Sequence, residues 1–126
     1  MKKTLLLIPA VFLLTSCINS SFSGTRRGSI SNYYSGHIES KYDFCNGSEI
    51  FEFDVKKEQS LIIKCELTTK SGEINFSISP KGGLSLFATS TTEDGKYDVE
   101  LPDYGKYKIT INMNSHSGSY LFDWSK

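Results

Sequence analysis

From Phe51 to Trp124 the apolar residues fall on alternate positions, and no stretch repeats them at a helical interval. Alternation demands extended strands with one face buried and the other in water. Phe51, Phe53 and Val55 alternate with Glu52 and Asp54. Leu61, Ile63, Cys65 and Leu67 alternate with Lys64 and Glu66, with Ile62 turned outward. Ile74, Phe76 and Ile78 follow the same rule, as do Tyr97, Val99 and Leu101, and then Tyr107, Ile109, Ile111 and Met113. Leu84, Leu86 and Ala88 form a weaker set, and Tyr120, Phe122 and Trp124 finish the chain.

The punctuation between these runs is that of turns. Asn46-Gly47 is the strongest hairpin signal, because both central residues of a type I′ turn need positive φ. Lys56-Lys57-Glu58-Gln59, Lys70-Ser71-Gly72, Lys81-Gly82-Gly83 and Glu93-Asp94-Gly95 read as polar connectors. Pro102 ends one strand and Gly105 opens the next. Such a pattern predicts a single antiparallel β-sandwich of about 7–8 strands, with a small β-barrel as the alternative.

The N-terminus follows different rules. Lys2 and Lys3 precede an apolar run from Leu5 to Leu14, which is shorter than the roughly 20 residues a membrane span needs. Charged start, apolar run and small residues before a cut are the order of a secretory signal peptide. The run closes on Leu14-Thr15-Ser16-Cys17, which resembles the lipobox of bacterial lipoproteins. That resemblance implies cleavage before Cys17, lipidation of its thiol and a domain held outside the cytoplasm in the cell envelope. Acyl chains anchor because each buried methylene contributes about 0.8 kcal/mol, and more than one chain is needed for stable attachment. The expected organisation is a signal peptide over 1–16, a lipidated flexible tether over 17–31 and a β-sandwich over 32–126. The tether is read from Ser- and Gly-rich composition without apolar period, with Arg26 and Arg27 as solvated linker charges.

Removing the signal from 126 residues leaves enough chain for one small domain, with 12 basic against 14 acidic residues. That balance excludes a nucleic-acid partner, which calls for a basic stripe. With Cys17 taken by lipid, Cys45 and Cys65 remain; in an extracytoplasmic setting they are expected to pair as a disulfide worth about 3 kcal/mol. Two buried free thiols are the alternative.

Candidate chemistry is sparse. The two histidines, His37 and His116, are tied to no nucleophile by spacing and read as solvated residues. No zinc, phosphate-loop or nucleophile-elbow motif occurs, so no catalytic residue, metal or cofactor is assigned. Glu93, Asp94, Asp98, Glu100 and Asp103 gather without calcium-loop spacing. Tyr33 and Tyr34 are adjacent, so in a strand one must face outward; Phe87 and Tyr104 lie off the inward sets and are expected to be exposed.

Two further resemblances concern the domain. Gly105-Lys-Tyr and Gly118-Ser-Tyr, each opening a late strand, are similar to the final hairpin of small envelope lipoproteins and of prepeptidase-type or carbohydrate-module-like sandwiches. Tyr42-Asp-Phe-Cys-Asn-Gly-Ser resembles the start of membrane-bound lysozyme-inhibitor lipoproteins. The expected function is therefore a lipid-anchored binding or envelope-interaction module, not an enzyme. Its partner is an envelope protein or a glycan. The alternatives are an inhibitor of a secreted hydrolase and a surface carbohydrate-binding module.

Overall fold

The computed structural model describes residues 18–126, and the expected signal peptide and lipidation site, Cys17, lie outside them. Seven strands form in chain order: β1 (Asn19–Arg27), β2 (Ile30–Tyr34), β3 (His37–Val55), β4 (Ile62–Pro80), β5 (Phe87–Thr91), β6 (Gly95–Glu100) and β7 (Gly105–Asp123). All pairings are antiparallel, in the order β1-β3-β7-β4-β5, with β2 also on β3 and β6 also on β4. Among the described residues there is no helix.

Three strands, β3, β4 and β7, run for 19 residues each and bend together midway. The register slips between Tyr42 and Gly47 on β3 and between Thr69 and Glu73 on β4. Between these bends β7 carries Ser115 at a φ of 47°. Bulges kink a strand and increase its twist. Here they fold one hydrogen-bonded sheet over on itself. One half comprises β1, residues 45–55, 105–113 and 73–80 of the long strands, and β5. The other comprises β2, residues 37–42, 118–123 and 62–69, and β6.

The inward residues of the two halves meet as the core of an antiparallel β-sandwich. Phe53 stacks on Trp124 at 4.2 Å, Phe76 meets Phe122 edge-on at 5.1 Å, and Phe87 packs against Tyr97 at 5.5 Å. Each fully buried large apolar side chain contributes about 1.5–3 kcal/mol. The inward sets from Phe51 to Val55, Ile63 to Leu67, Ile74 to Ile78 and Tyr107 to Met113 are all buried, as alternation requires.

Several expectations are corrected. Asn46-Gly47 is no hairpin turn but the bulge of β3. Its glycine faces Gly24 of β1, and a Cβ there would overlap the Ser23 carbonyl. The Asn46 side chain accepts from the Ser115 amide at 3.0 Å, tying two bends together. Lys70-Ser71-Gly72 is likewise a bend within β4, with Gly72 at a φ of 78° that a residue with a Cβ rarely adopts. The tether reading also fails over the described residues, because 19–27 and 30–34 are strands on β3. Leu84 and Leu86 lie in a loop, not a strand.

Cys45 and Cys65 are free and buried. They lie on β3 and β4, in opposite halves of the folded sheet, and form no bridge. Burial of each thiol raises it, Cys45 to about 11 and Cys65 to about 12.

Candidate functional site

Directly opposed residues of an antiparallel pair share a face, so the register defines what each surface presents. On the outer face of the β2-β3-β7-β4-β6 half, one row runs Tyr34, His37, Asp123, Lys64, Asp98. The next runs Asn32, Glu39, Leu121, Glu66, Lys96. Each row crosses five strands, a span of about 19 Å.

Tyr34 is 55% exposed and stacks on His37 with ring centroids 4.6 Å apart and planes within 8°. One face of the phenol is thus fixed by the imidazole and the other is open. His37 is held on both nitrogens: Nδ1 meets Asp123 Oδ2 at 2.7 Å, and Nε2 meets Glu39 Oε1 at 3.1 Å. Partial burial opposes charging of the ring, but hydrogen bonds to Asp123 and Glu39 outweigh it and raise the His37 pKa. Both oxygens of Asp123 are engaged, with Oδ1 accepting from the amide and hydroxyl of Ser125 at 3.0 and 2.7 Å. Glu39, 45% exposed, offers its second oxygen outward. Beside the row, Lys64, Glu66, Lys96, Tyr97, Asp98 and Leu121 line a shallow pocket of about 240 Å³.

A second polar cluster is enclosed at the bend. Glu49 is 2% exposed and receives Arg26 at 2.8 Å, the Tyr120 hydroxyl at 2.5 Å and the Tyr33 hydroxyl at 3.4 Å. Arg26 also lies 4.3 Å over the Phe22 ring. Nearby, fully buried His116 hydrogen-bonds Tyr42 through Nδ1 at 2.6 Å and Thr69 through Nε2 at 2.9 Å. Burial lowers the His116 pKa, so the ring is neutral. Buried charge is tolerated because every partner is satisfied in place.

These placements revise the sequence reading of single residues. Neither histidine is solvated. Phe87 packs on Phe76 at 5.6 Å instead of standing free, whereas Tyr104 is exposed. Of the tyrosine pair, Tyr33 turns in against Phe51 and Tyr34 turns out. The segment 42–48 lies inside β3, with Cys45 buried, and is not a projecting loop.

Cys45 is paired with His116 across β3 and β7, which sets a thiol in register with an imidazole. The arrangement does not suit nucleophilic catalysis. The thiol is buried and raised to about 11, and both imidazole nitrogens are engaged elsewhere. Among the described residues, no three His, Cys, Asp or Glu side chains form a metal-binding group. No helix of those residues is long and apolar enough to cross a membrane.

No family model and no curated protein matches the sequence. Solved structures match at the level of fold. The chain is similar to a Clostridium perfringens ZmpB segment containing the CBM51-2 and INT domains, with a TM-score of 0.50 and 10% identity over 84% of this chain and 30% of that one. It is also similar to TmCBM61, solved with β-1,4-galactotriose (TM-score 0.48, 16% identity, 88% of each chain). A third is a family 11 carbohydrate-binding module of Clostridium thermocellum (TM-score 0.42, 13% identity, 84% of each chain). At these identities the likeness is one of β-sandwich architecture.

Proposed function

We propose that this chain is a lipid-anchored, extracytoplasmic binding domain that takes a glycan on the outer face of its β2-β3-β7-β4-β6 half. The observation that carries the reading is the open Tyr34 ring stacked on His37. A flat aromatic face fixed from behind suits the C–H-lined face of a pyranose, with little side-chain entropy left to lose. Around it, the free Glu39 oxygen, Asn32, Lys64 and Glu66 supply the donors and acceptors that hydroxyls require. Leu121 adds an apolar patch in the second row. Binding in preference to catalysis is supported by the engagement of both nitrogens of each histidine. The anchor rests on Lys2-Lys3, the apolar run and Leu14-Thr15-Ser16-Cys17, which support a location in the cell envelope.

The test is a pull-down of the mature acylated chain, held in detergent, on immobilised β-1,4-galactan, mixed-linkage β-glucan, mannan and peptidoglycan. Retention on at least one, lost in Tyr34→Ala and kept in Tyr34→Phe, is expected. Retention on none, or retention indifferent to Tyr34→Ala, overturns the proposal.

A further inference from the structure

The domain begins at once after the lipidation cysteine. Asn19 is already paired with Glu52 of β3, so only Ile18 separates Cys17 from the sheet. Two residues span at most about 7 Å. An acyl-modified Cys17 therefore holds the Asn19 end of the sandwich at the bilayer, where a free tether would have let it range.

That end has a definite surface. The start of β1, the end of β3, the start of β7 and the end of β4 all lie there, because neighbouring strands run antiparallel. Asn19 and Lys81 line one cleft of about 250 Å³. The Lys81 amide bonds the Lys106 carbonyl at 3.0 Å, and a turn from Pro80 to Gly83 then projects the loop 81–86. Leu84 at its tip is 90% exposed and Leu86 is 41% exposed, the former the most exposed large apolar side chain among the described residues. Tyr104, 39% exposed, stands in the turn just before β7. Two lysines at this end face carboxylates. Lys81 lies 4.0 Å from Glu52, and Lys106 lies 3.2 Å from Asp54.

We infer that the loop 81–86 is a membrane-seating element: Leu84, with Leu86, enters the interfacial layer of the bilayer that carries the acylated Cys17. This inference rests on the anchor reading above. Leucine at an exposed tip next to a lipid anchor buries apolar surface without further cost of bringing the domain to the membrane. With Lys81 and Lys106 facing carboxylates, apolar burial of Leu84 and Leu86 carries the seating. The domain then sits on the membrane in one orientation.

The experiment uses the acylated full-length mature chain reconstituted in phosphatidylcholine vesicles, with an environment-sensitive dye on Leu84→Cys. A second variant carries it on Ser71→Cys at the opposite, bent end. Lipids with quenchers on their acyl chains should quench the dye at 84 at least about twofold more than at 71. Equal quenching at both sites in an acylated, vesicle-bound chain overturns the seating inference and leaves the anchor intact. A chain that carries no acyl label, or whose Cys17→Ala variant is labelled and vesicle-bound as before, overturns the anchor reading and the seating with it.

Discussion

Arg26→Ala tests whether the N-terminal strand is part of the domain. Arg26 stands on β1, in a Ser- and Gly-rich stretch whose composition suggests a linker, yet it is the cationic partner of Glu49 in the core. Truncating it leaves a carboxylate that is 2% exposed with two phenol hydroxyls and no cation. Breaking a buried pair costs about 3–5 kcal/mol. The Arg26 side chain is itself 19% exposed and Tyr120 keeps its hydrogen bond, so the lower end, about 3 kcal/mol, applies. For a domain of this size that corresponds to a fall in Tm of about 12 °C. Urea unfolding of the wild type, Arg26→Ala, Glu49→Gln and the double variant at pH 7 completes a thermodynamic cycle. The expected coupling between the two sites is at least about 1 kcal/mol. A loss below about 0.5 kcal/mol with zero coupling refutes the reasoning and returns residues 18–27 to the status of a tether.

Cys45 and Cys65, buried and raised to about 11 and 12, should resist thiol reagents at pH 8 until the chain unfolds. Dithiothreitol should leave Tm unchanged; a lower Tm on reduction would show a bridge. The histidines should pull stability in opposite directions with pH. The His37 pKa is raised in the fold, so its contribution is complete below the unfolded value of about 6.5 and is lost as pH rises through the raised value. The His116 pKa is lowered, so the unfolded chain takes up the proton first and stability falls as pH drops below about 6.5. Urea midpoints against pH for His37→Gln and His116→Gln should each lack one limb; identical profiles would contradict both assignments.

The strands and their inward residues were legible because alternation reports directly on which face is buried. The bends were not, because a bulge uses the same residues as a hairpin turn. Asn46-Gly47, Lys70-Ser71-Gly72 and Asn114-Ser115-His116-Ser117-Gly118 each supply φ freedom or close approach, and local composition cannot tell a reversal from a kink. Carrying the alternation through them was the signal available. Glu49 shares its parity with Phe51, Phe53 and Val55, and His116 shares its own with Tyr120, Phe122 and Trp124. Both fall inside on that count. Arg26 could not be read so, since β1 buries only Phe22 and Arg26 in part and its partner lies 23 residues away. Of the platform, the outward turn of one tyrosine was legible. The stack on His37 and the carboxylates from β3 and β7 depend on register between segments 86 residues apart.

A glycan bound at the proposed site lies across Tyr34 and the rows beside it. The direct measurement is amide and aromatic chemical-shift mapping of the isotope-labelled mature chain in detergent. The ligand is an oligosaccharide from whichever polysaccharide retains the protein. The expected shifts are confined to Tyr34, His37, Glu39, Leu121 and Lys64, with the Tyr34 ring protons moving most. They should weaken as pH rises through the His37 titration. Shifts centred on the opposite face, around Ile50 and Asn112, or an unmoved Tyr34 ring at saturation, would contradict it.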